Sequence, residues 1–283
     1  MILLKKPEHL RSFLEKKRAE GLNIGLVPTM GALHPGHLSL LEKAKKENDI
    51  AVCSIFVNPT QFNDSDDFKK YPVTIEQDIY LLETGGCDLL FMPSVNGIYP
   101  DGTENLRHYA IGHLETILEG KYRPGHFQGV CQVVHRLLEI IFPDKLYLGQ
   151  KDYQQCMVIK KLIELTGLNE KTGCIICPTL REHDGLAMSS RNLRLNEEER
   201  NKAVLISRAL KFIKDNLQRG NIMQIKNDAM KMLYQNSFKI DYVEVADAGT
   251  LQEVENWDGK QKLIALAAAF INKVRLIDNM IIN

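Results

Sequence analysis

The sequence predicts an α/β fold, a parallel sheet with flanking helices over residues 1–183, followed by a smaller α+β domain over 184–283. Three observations predict it. Up to about residue 178, short β-branched runs alternate with helical runs, the pattern of parallel strands joined by crossover helices. Each cluster of chemistry-bearing polar residues in that stretch directly follows a strand-like run, where open sheets of this kind bind ligands. After Asn196 the texture changes to long amphipathic helices and then strands, with the boundary in the loop between Pro178 and Asn196.

In chain order the expected strands are Asn23–Val27, Ile50–Val57, Asp88–Met92, Lys145–Leu148 and Thr172–Cys177, each a short apolar or β-branched run. The helices between them are Pro7–Gly21, His37–Asn48, Ile75–Thr84, Gly129–Ile141 and Tyr153–Leu165. Asn196 followed by three glutamates is an N-cap with an acidic first turn, opening a helix that runs to Gly220. A second helix, Ile222–Gln235, precedes strands at Tyr242–Val245 and Leu263–Phe270.

Composition narrows the function classes. Apolar and charged fractions of 44% and 25% over 283 residues are ordinary for a soluble globular protein of about two domains. Zero formal net charge gives no electrostatic footprint for nucleic acid. The longest clean apolar run, Leu263 to Ile271, is far short of the ~20 residues that span a bilayer, and the first lysines follow the apolar patch rather than precede it. The expectation is a cytoplasmic protein with no membrane partner. The six cysteines lie mostly in apolar runs; Cys174 and Cys177 have half-site spacing, but a buried strand is the favoured reading.

Four polar clusters carry the chemistry. Met30-Gly31-Ala32-Leu33-His34-Pro35-Gly36-His37 joins a strand end to a helix start, where backbone N–H groups and the helix dipole favour an anion. Two histidines three apart can donate to phosphate oxygens without two permanent charges. Asn58-Pro59-Thr60-Gln61-Phe62 supplies neutral amides able to read hydroxyl and carboxylate groups, or is a plain turn. In Gly149-Gln150-Lys151-Asp152-Tyr153-Gln154-Gln155, Lys151 stands at a helix start, where a cation is unfavourable unless an anion is bound. Met188-Ser189-Ser190-Arg191-Asn192 places two hydroxyls and a guanidinium in a mobile loop, a clamp for pyrophosphate or an exposed linker.

Taken together and in order, these clusters resemble the pantothenate synthetases, nucleotidyltransferases with a His-x-Gly-His motif. Gly125-His126-Phe127, Asp241–Val245 and Arg275–Asn279 match as well, so the resemblance covers essentially the whole chain. It implies a Rossmann-like first domain binding nucleotide and pantoate, a C-terminal lid domain, and a cytoplasmic homodimer. The implied reaction condenses (R)-pantoate with β-alanine at the expense of ATP, giving pantothenate, AMP and pyrophosphate through a pantoyl adenylate. By the same resemblance His34, His37 and Lys151 surround the phosphates, His37 as proton donor, while Ser189, Ser190 and Arg191 close over pyrophosphate. ATP would be held by Met30 to His37, by Gly149, Gln150, Lys151 and Asp152, and by Leu180 and Met188 to Arg191. Gln61 and Gln155 would hold pantoate, and Gln61 also β-alanine, over an apolar floor of Pro28, Met30 and Phe62. No side-chain cluster would hold a metal alone; Mg2+ would ride on the ATP phosphates, with Asp78 or Asp152 at most assisting.

Val73 stands where the family usually has arginine, Gln132 where it has threonine, and Asn272 and Val274 where it has glycine and threonine. Two other readings stay open on the residues alone: an adenylyltransferase that builds a dinucleotide, and a catalytically silent nucleotide-binding module.

Overall fold

Strands that are apolar on both faces are stable only in a sheet covered on both sides. A computed structural model, describing residues 1–218 and 220–283, places them there. Its first unit comprises Met1–Gly149 and Gln154–Pro178. The strands β1 (Ile2–Leu4), β2 (Ile24–Thr29), β3 (Ile50–Ile55), β4 (Leu89–Phe91), β5 (Lys145–Gly149) and β6 (Gly173–Cys177) run parallel in the order β1-β4-β3-β2-β5-β6. Every residue of β3 is buried, as a central strand requires.

The longer helices are α1 (Pro7–Ala19), α2 (Pro35–Glu47), α4 (Ile75–Thr84), α7 (His126–Ile141) and α8 (Tyr153–Leu165), with short helices α3 (Ser65–Lys69), α5 (Val95–Ile98) and α6 (Leu118–Tyr122). Leu40, Leu41 and Ala44 of α2 and Leu82 of α4 pack with Val27, Ala51, Cys53 and Leu90 of the strands in one apolar cluster. Cys53, Cys87, Cys131 and Cys177 are buried, and burial pushes each thiol up.

The expected parallel sheet is present, and α4 and α8 span the expected runs. Two differences have physical causes. β1 is a three-residue edge strand, too short to show a period. α7 starts at His126 rather than Gly129, because Gly125 supplies a left-handed N-cap (φ 79°) and the polar residues His126 and Gln128 are buried in the first turn. In the sheet order β2 lies between β3 and β5. The chain therefore winds outward in one direction from β2 and in the other from β5. The carboxyl ends of this pair are where a doubly wound sheet takes its ligand.

The second unit comprises Gln150–Tyr153 and Thr179–Asn283. Helices α9 (Glu197–Asn216) and α10 (Ile222–Tyr234) pack on an antiparallel sheet of β7 (Lys239–Asp247), β8 (Leu263–Ile271) and β9 (Val274–Ile281) in that order. Ala203, Leu210, Ile213, Ile225 and Leu233 of the helices bury against Val243, Val245, Ala265 and Ala267 of the strands. The expected N-cap at Asn196 is a full capping box with Glu199, at 2.9 Å in each direction. β9 is not among the expected strands, because Arg275, Asp278 and Asn279 interrupt its apolar pattern. β8 and β9 are joined by a two-residue turn, Asn272-Lys273, with Asn272 left-handed at φ 48°. Asparagine tolerates that conformation better than other non-glycine residues, which accounts for its standing where glycine is usual. No helix among the described residues is long and apolar enough to cross a membrane.

Candidate active site

The turn after β2 is fixed by a buried carboxylate from α4. Asp78 Oδ2 accepts from the backbone N–H of Ala32 at 2.9 Å, and Oδ1 accepts from Leu33 N at 2.8 Å and from the Thr74 hydroxyl at 3.0 Å. Gly31 is left-handed (φ 79°), and a Cβ on it would lie 2.9 Å from Asp78 Oδ2. A glycine is therefore needed for the carboxylate to reach the turn. Thr29 adds to the hold, its hydroxyl bridging Ser54 O and Gly31 N. Ala32, at φ 48°, is strained, and Asp78 is what holds it there.

This turn delivers His34 as the N-cap of α2, with Pro35 at the first helical position. His34 Nδ1 accepts from Gly36 N at 3.2 Å, and His37 Nδ1 accepts from His34 N at 3.4 Å. The rings lie 4.0 Å apart between centroids, tilted by 38°. The histidines thus cap the helix themselves. An accepting Nδ1 has no proton, so in each neutral ring the proton is on Nε2. The amides of His34 and Gly36 at this helix start are therefore bonded to the imidazoles.

Gln61 ends a 3-10 turn, Pro59–Gln61, that follows β3. Its Nε2 donates to Met30 Sδ at 3.1 Å, and its Oε1 accepts from Asn58 Nδ2 at 3.2 Å. Asn58 is buried, and its Oδ1 accepts from the Tyr99 hydroxyl at 2.9 Å. The neutral-amide cluster and Met30 are therefore one contact network in the first unit. Phe62 stacks edge-on against Phe68 and Tyr71, anchoring the segment that follows. Gln155 sits half-buried on the first turn of α8. Gly149 ends β5, and a Cβ there would meet nothing within 4 Å, so packing alone does not require its glycine.

In the second unit Gln150, Lys151 and Asp152 form a 3-10 turn ahead of α8. Buried Asn279 of β9 holds it: its Nδ2 donates to Gln150 O at 2.9 Å and to Lys151 O at 2.8 Å. Lys151 Nζ lies 3.7 Å from Asp152 Oδ1, a local partner the sequence reading does not anticipate. Leu180–Met188 is a hydrogen-bonded hairpin, with Met188 N donating to Leu180 O at 3.1 Å and Glu182 N to Leu186 O at 2.8 Å. Arg181 within it grips the buried Asp278 carboxylate with two bonds, 2.7 and 2.9 Å. Ser189 then caps a 3-10 turn, Ser190–Arg194, through Arg191 N at 3.3 Å. The segment read from the sequence as a loop thus carries Ser190 and Arg191 in a 3-10 turn, with Ser189 as its N-cap.

Both Asp78 oxygens are engaged by amides and a hydroxyl, so Asp78 does not suit the metal-assisting role considered for it. Asp152 is half-exposed beside a lysine. Among the described residues no three His, Cys, Asp or Glu side chains converge as a metal site.

The family described as pantoate-beta-alanine ligase matches residues 2–281. The chain belongs to it. A pantothenate synthetase of Fervidobacterium nodosum is 46% identical over 270 residues, covering 93% of each chain. One of Cytophaga hutchinsonii is 43% identical and covers 100% of this chain and 99% of its own. Among solved structures, pantothenate synthetase from Thermus thermophilus superposes with a TM-score of 0.90 at 36% identity, covering 100% of this chain and 99% of that one. Pantoate-beta-alanine ligase from Francisella tularensis, complexed with beta-gamma ATP and beta-alanine, gives a TM-score of 0.82 at 39% identity, covering 99% and 97%. The protein is an ATP-dependent ligase of pantoate and β-alanine.

Val73 is 69% exposed, and Gln132 Nε2 donates to Arg107 O at 3.3 Å. Three supporting residues escape the sequence reading as such: Asp78, His126 and Asn279. Each acts on backbone far from it in the chain, a relation no local spacing encodes.

Proposed function

We propose that the chain ligates pantoate to β-alanine in two steps. The pantoate carboxylate first attacks the α-phosphorus of ATP, forming pantoyl adenylate and releasing pyrophosphate. The amine of β-alanine then attacks the acyl carbon, releasing AMP. Charge builds on phosphoryl oxygens in the first step, and preset donors stabilise it without reorganisation. His34 and His37 would be such donors through Nε2–H, His37 as the proton donor. The observation that carries this reading is the occupation of both Nδ1 atoms by backbone N–H groups, which leaves Nε2–H as each neutral ring's donor.

Lys151, Ser189, Ser190 and Arg191 would take the remaining phosphate charge, with Met30 to His37, Gly149 to Asp152, Leu180 and Met188 completing the ATP site. Gln61 and Gln155 would hold pantoate, and Gln61 β-alanine. Neutral amides orient these groups without trapping the adenylate by charge. Magnesium would arrive on the ATP phosphates. Residues 1–183 would serve as the nucleotide- and pantoate-binding domain and 184–283 as its lid, in a cytoplasmic homodimer.

The decisive experiment separates the half-reactions. His37→Ala should nearly abolish pantoate-dependent exchange of pyrophosphate into ATP. Given pantoyl adenylate and β-alanine directly, the same variant should still make pantothenate at a substantial fraction of the normal rate, since that step rests mainly on proximity. An equal fall in both steps would remove His37 from the phosphoryl side alone.

A further inference from the structure

Gln61 is held from behind, through its backbone carbonyl, by a chain of polar contacts. His126 is buried at the first position of α7, and its Nδ1 lies 2.7 Å from the carbonyl oxygen of Gln61. A carbonyl only accepts, so the proton is on Nδ1. On the other side of the ring, Arg123 Nη1 lies 3.1 Å from Nε2. A guanidinium only donates, so Nε2 accepts. The two partners together fix one neutral tautomer, with its single donor aimed at the Gln61 peptide.

Arg123 in turn stands 3.8 Å from Glu119 Oε2, and Glu119 N donates to Gln154 Oε1 at 2.9 Å. Gln154 immediately precedes Gln155, and its Nε2 donates to Leu114 O and Ile117 O at 2.9 Å each. The chain of contacts thus starts at the peptide of one glutamine and ends beside the other. The same helix end meets the Pro59–Gln61 turn at van der Waals limits. A Cβ on Gly129 would lie 2.3 Å from Thr60 O and 2.6 Å from Gln61 Cα, and Gly129 O accepts from Asn58 Nδ2 at 3.1 Å.

We propose that His126 is a positioning residue: its Nδ1–H fixes the Gln61 peptide, and through Arg123 and Glu119 it ties the placement of Gln61 to the start of α8 that carries Gln155. This rests on the reading of Gln61 as a holder of pantoate and β-alanine. A hydrogen bond to backbone leaves the Gln61 side chain available to substrate while denying its turn the freedom to slide. Small displacements of a positioning group cost rate steeply.

The test compares His126→Asn, which keeps a donor near the place of Nδ1, with His126→Gln, which puts one near Nε2, and with His126→Ala. In His126→Ala, kcat/KM for pantoate and for β-alanine should fall by ~10- to 100-fold, with KM for ATP changed less than ~2-fold. His126→Asn should recover most of the loss and His126→Gln little of it, at matched melting temperatures for Asn and Gln. Gln61→Ala is measured alongside, with the double variant Gln61→Ala/His126→Ala, which should be no worse than Gln61→Ala alone. If Asn and Gln variants behave alike, or the double variant loses the product of both effects, His126 is merely structural and the proposal fails while the role of Gln61 stands. If Gln61→Ala keeps its pantoate kcat/KM, both readings fail together.

Discussion

Lys151 shows what one side chain can be asked to do. Its ammonium lies 3.7 Å from Asp152 Oδ1, and its own carbonyl is held by Asn279. An ion pair whose carboxylate is half-exposed contributes little to folding. Lys151→Ala should therefore shift unfolding stability by no more than ~1 kcal/mol, while turnover falls by at least ~100-fold through lost transition-state charge stabilisation. Denaturant titration beside steady-state kinetics checks both halves; an unfolded variant, or one of near-normal turnover, would contradict the assignment. The residues that sequence reveals best are those whose partners are near in the chain. His34 and His37 are legible because a strand end, a proline and a helix start are contiguous. Asp78 is not, because its task is to accept two amides of a turn from another helix, and an isolated aspartate on a helix looks like any solvated one.

Among the elements, α7 carries the most unexpected duty. The sequence pattern puts its start at Gly129. The helix instead runs through it, and the missing side chain lets the helix touch the Pro59–Gln61 turn. Gly129→Ala should push that turn aside, since the atoms in the way are backbone and cannot rotate out. The expected result is a loss of ~1–3 kcal/mol in stability, the cost of overpacking. It should come with a fall in kcat/KM for pantoate larger than that for ATP. Equal losses for the two substrates would point to general unfolding instead. Strand order is likewise hidden from the sequence, because β-α alternation gives parallel pairing but not which strand neighbours which. β9 escapes notice since the groups that make it useful, Arg275, Asp278 and Asn279, are those that disguise it as a loop.

For the molecule as a whole, the acid limb of stability has a nameable contributor. Glu47 at the end of α2 bonds Lys43 at 2.8 Å, the Tyr147 hydroxyl at 2.9 Å and Lys145 at 3.4 Å. The Lys43 ammonium, followed by Tyr147, pulls its carboxyl down to about 2 from the usual 4.5. A carboxylate whose value is lower folded than unfolded stabilises the fold fully above the unfolded value. That contribution is lost as pH falls through the folded one. It should thus fade between about pH 4.5 and 2. Glu47→Gln should flatten this part of the acid-unfolding curve followed by circular dichroism, and an unchanged slope would show the bonds to be solvent-screened.

The hold of Asn279 on Gln150 and Lys151 has a consequence for how such a chain can be inherited. The chain passes between its two units three times, after Gly149, after Tyr153 and after Pro178. The Tyr153 hydroxyl also reaches across sequence, donating to Ala248 O at 2.7 Å. A gene fragment beginning at Thr179 would encode Asn279 and Ala248 without the residues they bind, since Gln150, Lys151 and Tyr153 directly follow β5. A crossover at Thr179 could not transplant the second unit intact, whereas one ahead of Gln150 would carry all of it. Moved alone, the segment from Thr179 onward would leave behind Gln150, Lys151 and Tyr153, whose backbone and hydroxyl its residues hold.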